Sequence, residues 1–341
     1  MILRICAFTD AGRAVAARIA DAFPDDITET RAVEPLAEWT RDSFMMHAPL
    51  VFVGACGIAV RAIAPYLRDK TLDSPVVVVD EGSRFAIPIL AGHLGGANKL
   101  ADAIAERLGA QAVVTTATDV RGLFAVDVFA ELNALRVCDR AGIVRTSSKI
   151  LAGERVTVAV DTSVRVDAST LPAELELRSF PPTEVSPVDV VVTDEPCYDA
   201  VSGLRLAPKG YVVGVGCRRG TALETLERVV GERLASVGGR WEDVAAIASV
   251  DVKRREYGLV RLAMEKRVGF VTYPASELEA LDGDFAVSEF VRATVGTSNV
   301  CERAAARYAG EDAEFVARKS AEDGVTVAVM KRTPVIRRWK V

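Results

Sequence analysis

The 341-residue sequence holds only two histidines, His47 and His93, so a three-histidine metal site cannot be built from one chain. Its six cysteines (Cys6, Cys56, Cys138, Cys197, Cys217, Cys301) form no CxxC, and the closest two stand 20 residues apart. Zinc ribbons and disulfide frameworks are disfavoured on that spacing, and a reducing cytoplasm is the expected compartment. No uninterrupted apolar run reaches the roughly 18 residues of a membrane span. The opening MILRICAFTDAG reads as a strand into a turn, without the basic flank and apolar stretch of a signal peptide. Both phosphate-loop signatures, GxxxxGK[ST] and GxGxxG, are missing, which disfavours a nucleotide-binding regulator. Aromatics are sparse at 6%.

What remains is ordinary globular composition: 50% hydrophobic, 26% charged, 25 Gly and 14 Pro. The length suggests two domains, or three small ones. The net charge of −5 is unevenly divided: residues 1–200 hold 19 Lys+Arg against 28 Asp+Glu (net −9), residues 201–341 hold 23 against 19 (net +4). A modest excess without interleaved aromatics does not resemble a nucleic-acid stripe. It suits a small polyanionic ligand.

Buried β-type runs alternate with helical patterns: ILRICAF then AVAARIADAF, APLVFVGA then GIAVRAIAPYL, VVVVD and FAIPIL then ANKLADAIAERLG. Strands without polar alternation are covered on both faces. The fold class expected is α/β, three-layer sandwiches with largely parallel or mixed sheets. An amino-terminal α/β domain is placed at 1–130 and a carboxy-terminal one at 201–341. Between them, 131–200 reads as a small strand-rich segment ending in a proline-rich linker, PPTEVSPVDVVVTDEPCYDA, with one strand. The final RRWK reads as a basic tail.

The densest chemistry lies in DEGSRFAIPILAGHLGGANKLADAIA, residues 80–105. A strand runs through Gly92, His93, Gly95, Gly96 and Asn98 into a helix start, where glycines permit close backbone approach and amides attract anions. The same run is compatible with a mere tight connection. His93 has the side chain suited to proton transfer near neutrality, or is a structural histidine donating to a carbonyl. Asp80 and Glu81 end a strand, as ligand-binding or solvated turn residues. Thr115, Thr116, Thr118 and Asp119 offer polar groups after another strand, or cap the next helix. Arg61, beyond the Gly54–Cys56–Gly57 turn, suits a carboxylate clamp. GVGCRRGT repeats the logic with Gly214, Gly216, Cys217, Arg218, Arg219 and Gly220. Asp251 and Lys253 follow, and Thr297, Ser298 and Asn299 form a capping sequence first and a ligand loop second. His47 reads as structural.

Together these runs resemble the CbiG family, the cobalt-precorrin-5A hydrolases of anaerobic cobalamin (vitamin B12) biosynthesis. The resemblance is carried by GACGIAVRAIAPYLRDK (54–70), VVVVDEGSRFAIPILAGHLGGANKLA (76–101), VTTATD (114–119), VGVGCRRGT (213–221), ASVDVKRREYGL (248–259) and GTSNVCERAA (296–305). The carboxy-terminal half separately resembles CobE-like domains. The resemblance implies a hydrolase that opens the ring A δ-lactone of a cobalt corrinoid and releases the two-carbon fragment at the C20 bridge as acetaldehyde, giving cobalt-precorrin-5B. It implies no cofactor, since cobalt arrives with the substrate, and no nucleic-acid or membrane partner; a homodimer or transient contact with neighbouring methyltransferases is compatible with it. A non-catalytic corrinoid carrier is the alternative. His93 is assigned acid/base work, with Glu81 or Asp119 next, and amides of Gly95 and Gly96 an oxyanion site. Gly92, Asn98, Arg61, Gly216, Cys217, Arg218, Arg219, Ser298 and Asn299 are assigned to substrate. The sequence departs from the family pattern at Ala91, where serine is common, and at Cys56, where threonine or methionine is common.

Overall fold

Six short strands, most of them runs of Val, Ile, Leu and Phe, form one sheet with helices on both faces. In chain order these are β1 (Ile2–Ala7), α1 (Asp10–Ala22), β2 (Ile27–Thr30), α2 (Leu36–Met45), β3 (Leu50–Val53), α3 (Cys56–Ile63), β4 (Val76–Val79), β5 (Phe85–Leu90), α4 (Ala97–Leu108) and β6 (Gln111–Ala112). This is a computed structural model, and it describes residues 1–31, 35–69, 72–93, 95–116 and 122–340. Strand order is β2-β1-β3-β4-β5-β6. The first four strands are parallel, whereas β5 runs antiparallel to β4, with Val76 opposite Leu90 and Val79 opposite Ala86, and β6 is parallel to β5.

Alternate side chains serve opposite faces. Leu3, Ile5, Val51, Val53, Val77 and Val79 pack with Val15 and Ile19 of α1 and Ile104 of α4. Cys6, Leu50, Phe52, Val76 and Val78 pack with Trp39 of α2 and Ala59 and Ile63 of α3. The three-layer sandwich expected from the unbroken apolar runs is therefore present.

The chain divides into two compact units, Met1–Val120 with Arg254–Arg267, and Arg121–Lys253 with Val268–Val341. The second unit contains two mixed five-stranded sheets. Its first part comprises α5 (Val126–Leu132), β7 (Leu135–Val137), α6 (Arg140–Leu151), β8 (Val156–Val160), β9 (Arg165–Val166), β10 (Leu175–Arg178), β11 (Val188–Val192) and β12 (Ser202–Pro208). Their sheet order is β10-β8-β11-β12-β7. The proline-rich stretch is thus more than a linker: β11 within it is the middle strand, and the sheet continues past residue 200 through β12. Val190, Val191 and Val192 are almost wholly buried, which explains the unbroken valines.

The rest comprises β13 (Tyr211–Cys217), α7 (Leu223–Ala235), β14 (Val244–Val250), α8 (Tyr257–Lys266), β15 (Gly269–Tyr273), α9 (Ala275–Glu279), α10 (Glu289–Val295), α11 (Cys301–Ala309), β16 (Glu314–Glu322), β17 (Val325–Lys331) and β18 (Val335–Ile336). Strand order is β15-β14-β13-β17-β16, and β18 pairs with β9. Of these elements α8 belongs to the first unit. The carboxy-terminal residues are not a solvated tail, since Ile336 and Trp339 are 0% and 1% exposed.

Candidate functional site

β5 delivers the glycine-rich turn to the start of α4. Ala91 and Gly96 adopt φ of 53° and 84°, both left-handed. A side chain at Gly92 would meet Asn98 Oδ1 at 2.6 Å, and one at Gly95 would meet Ala91 Cβ at 2.4 Å. These two glycines let the arms of the turn close on one another. The backbone completes the closure: Gly96 N–H donates to His93 C=O at 2.9 Å, Ala97 N–H to Ala91 C=O at 3.2 Å and Asn98 N–H to Gly92 C=O at 3.0 Å. The Gly96 amide assigned to an oxyanion is therefore spent within the turn. Buried Asn98 donates Nδ2–H to Thr116 Oγ1 at 3.1 Å, tying the segment that follows β6 to the turn. His93 stands half-buried in this fixed frame. Thr118 and Asp119 lie outside the described residues.

Glu81 does not share this site. Because β5 is antiparallel to β4, Glu81 follows the carboxyl end of β4 whereas His93 lies past the opposite end of β5. A six-residue strand separates them, about 20 Å. Glu81 accepts a hydrogen bond from Thr9 Oγ1–H at 2.5 Å, and Thr9 caps α1 by accepting from Gly12 N–H at 3.0 Å. Its neighbour Asp80 builds the β4–β5 hairpin. Partial burial alone would raise its pKa, but N–H donors of Phe85, Arg84 and Gly82 and the Arg84 guanidinium outweigh that and hold the carboxyl below its ordinary value. Arg61 follows β3 on the same edge as Glu81, its Nη1–H donating to Gly57 C=O at 3.2 Å. The residues assigned in the first unit thus split between two edges of one sheet.

In the second unit β13 ends in the other glycine-rich turn. A Cβ at Gly214 would fall 1.8 Å from Cys301 C=O, and one at Gly216 would fall 2.6 Å from Thr326 Oγ1. The bare backbone there lets the start of α11 lie against the sheet, so Gly216 has a packing role in place of the substrate contact assigned to it. Ser298 and Asn299 are wholly buried. Ser298 N–H and Oγ–H donate to Glu279 Oε2 at 2.8 and 2.9 Å, and Thr297 Oγ1–H joins them at 3.1 Å. These donors, led by the Ser298 amide and aided by nearby Arg303, pull the Glu279 carboxyl down to about 2. Asn299 Oδ1 accepts from Glu302 N–H at 3.0 Å while Nδ2–H donates to Ala286 C=O and Glu302 Oε2. Capping is what this run does, and Ser298 and Asn299 are corrected from substrate contacts to internal supports.

Arg218 and Arg219 are exposed just past β13, and half-buried Cys217 ends the strand. β14 lies beside and parallel to β13, so its terminal 3-10 turn Asp251–Lys253 adjoins them on one edge. Asp251 accepts from Thr272 Oγ1–H at 2.7 Å. Among the described residues no group of three or more His, Cys, Asp and Glu is placed to hold a metal ion. No helix among them is long and apolar enough to cross a membrane.

His47 makes a contact that has no signature in the sequence. Its ring Nδ1 lies 2.9 Å from Arg267 Nη2, both within the first unit.

Residues 38–119 match the family described as Cobalamin synthesis G N-terminal, and 211–330 match Cobalamin synthesis G C-terminus. The chain is 34% identical over 303 residues to the cobalt-precorrin-5A hydrolase of Salmonella typhimurium, covering 86% of this chain and 84% of that protein. It is 31% identical over 299 residues to the enzyme of the same name from Priestia megaterium, covering 84% and 80%. Over 124 residues it is 32% identical to protein CobE of a Sinorhizobium species, covering 36% and 80%.

Proposed function

The chain belongs to the cobalamin synthesis G family of cobalt-precorrin-5A hydrolases, and from that premise we propose that its reaction is centred on the His93 turn. The reaction opens the ring A δ-lactone of cobalt-precorrin-5A and releases acetaldehyde, leaving cobalt-precorrin-5B. The observation that carries the placement is the self-bonded turn: three backbone hydrogen bonds and the Asn98–Thr116 link fix the one histidine that the family-like motif contains.

The chemistry asks for one group that takes and returns a proton. In the first step the neutral imidazole accepts a proton from water as its oxygen adds to the lactone carbonyl, and the ring C–O bond breaks to give a carboxylate and a hydroxyl. The imidazolium then loses its proton to solvent, and in the second step the neutral imidazole takes the hydroxyl proton, the carbon–carbon bond breaks, acetaldehyde leaves, and the imidazolium so formed protonates the electron pair left on the macrocycle. General acid–base help of this kind contributes about 10² to 10⁴ in rate. Cobalt is substrate in this reading. A cytoplasmic location is part of the proposal.

The test is incubation of the purified chain with cobalt-precorrin-5A, trapping aldehyde by reduction with alcohol dehydrogenase and NADH. One acetaldehyde per substrate consumed is expected. Binding of the corrinoid without aldehyde would leave a carrier.

A further inference from the structure

Within the second unit, charged side chains gather where the chain passes from one five-stranded sheet to the other. Lys209 lies in the short connection from β12, which ends at Pro208, to β13, which begins at Tyr211. Arg136 is the middle residue of β7 and stands opposite Ala207 of β12. Lys209 N–H donates to Ala134 C=O at 2.9 Å, which carries the same antiparallel pairing one step past the end of β12. Alternate residues of a strand share a face. Lys209, two on from Ala207, is therefore the diagonal neighbour of Arg136, about 7 Å away. Asp243 enters from the other sheet, in the 3-10 turn that precedes β14.

Two neighbouring cations are ordinarily bridged by a carboxylate that hydrogen-bonds to both. Here neither side chain has a hydrogen-bond partner among the described residues. Arg136 Nε is buried with none, and its Nη2 stands 3.6 Å from Asp243 Oδ1, beyond hydrogen-bond reach. Asp243 is held instead by Arg240, whose Nε–H and Nη2–H donate to its two oxygens at 3.0 and 3.3 Å. Arg240 also pairs with Glu242 at 2.8 Å. The Lys209 ammonium meets Asp243 and Glu131 only through their fields. Burial first, and then Arg136, holds its pKa below the ordinary lysine value, and those two carboxylates do not restore it.

Buried charged groups are paired with few exceptions, because removing them from water without a partner is costly. A cation pair that leaves its donors unused is incomplete. Lys209, Arg136 and Asp243 are all half-buried, so a ligand group can reach the donors and still be partly shielded from water. The nearby Asp243 and Glu131 disfavour a doubly charged anion and leave a place for one negative charge. A carboxylate supplies that charge with two acceptor oxygens, one for the planar guanidinium and one for the ammonium.

We propose that Lys209 and Arg136 form a binding site for a single carboxylate group. The site does not depend on the reading of His93 given above.

The experiment compares purified wild type with Lys209→Met and Arg136→Met. Thermal unfolding is followed in sodium acetate and in sodium chloride of equal ionic strength, and binding of cobyrinic acid and of its neutral methyl ester is followed in the visible spectrum. Acetate should raise the wild-type midpoint by about 2 °C over chloride and leave both variants unmoved. In chloride the Lys209→Met midpoint should lie at or above that of wild type, since the substitution removes a half-buried ammonium that has no partner. If the carboxylate is an arm of the corrinoid, each variant also binds cobyrinic acid about tenfold more weakly and the ester as before. If it is a free small acid, corrinoid affinity is unchanged and the acetate effect alone is lost. An acetate response and an acid preference that persist in both variants, or that wild type itself lacks, would overturn the proposal. Arg136→Lys keeps the charge without the planar fork and decides the matter if the methionine variants misfold: it should retain only part of the response, and full retention would count against the site. Acetaldehyde is not read in any arm, so failure of the catalytic reading leaves this test intact.

Discussion

Trp339 lies flat on Phe129, with ring centroids 5.2 Å apart and planes 18° from parallel, and its Nε1–H donates to Asp167 C=O at 2.7 Å. Asn133 grips the same segment: its Oδ1 accepts from the N–H groups of Arg337 and Arg338, and its Nδ2–H donates to Arg338 C=O at 2.7 Å. Lys340 then reaches Glu174 at 2.7 Å. The carboxy-terminal strand thus clasps the sheet built from residues 135–208 in the second unit.

Trp339→Ala should accordingly cost about 3–5 kcal/mol, as emptying a buried aromatic site does. Urea unfolding followed by circular dichroism reads this directly. A change under about 1 kcal/mol would mean the clasp is not part of the core.

His93→Ala should lower kcat by about 10² to 10⁴ with KM within a few-fold, if the imidazole moves protons and does little binding. Asn98→Ala should lower kcat more modestly, about tenfold, because it frees the turn from Thr116 without touching the proton carrier. Steady-state acetaldehyde release at several pH values separates them: the histidine variant loses the limb set by an imidazole, and the asparagine variant keeps it.

Replacing Arg218 and Arg219 together with alanine should raise KM about three- to tenfold at low salt, with the gap to wild type closing as ionic strength rises. Exposed charges act over a Debye length of about 10 Å at 0.1 M salt. A salt-independent effect would point to lost packing.

Much of the first unit could be read from the chain because strands covered on both faces carry unbroken apolar runs, as VVVV in β4 does. The direction of β5 could not. Nothing in FAIPIL distinguishes an antiparallel strand from a parallel one, yet that direction sends His93 to one edge and leaves Glu81 and Arg61 at the other. The proline-rich stretch misled for a related reason, since its prolines flank β11 without interrupting it. Ser298 and Asn299 carried the signature of caps and of ligands alike. Only their burial against Glu279 and Glu302 decides between the two.

Glu279 gives the clearest dependence on acid. Its carboxyl titrates at about 2 in the folded chain against an ordinary 4.5, so the folded state binds that proton more weakly than the unfolded state. The stabilisation is fully present above pH 4.5 and is lost as pH falls from there toward 2. Glu279→Gln keeps the shape and removes the charge, while leaving the Ser298 amide and hydroxyl, the Thr297 hydroxyl and Arg303 with a weaker acceptor. The variant should therefore unfold at lower temperature than wild type at pH 7, and the two midpoints should approach one another as pH drops through 4 to 3. Scanning calorimetry between pH 7 and pH 3 supplies both curves. Parallel curves with a constant offset would show that the loss at pH 7 is one of packing and that the charge on Glu279 contributes nothing to holding the start of α11.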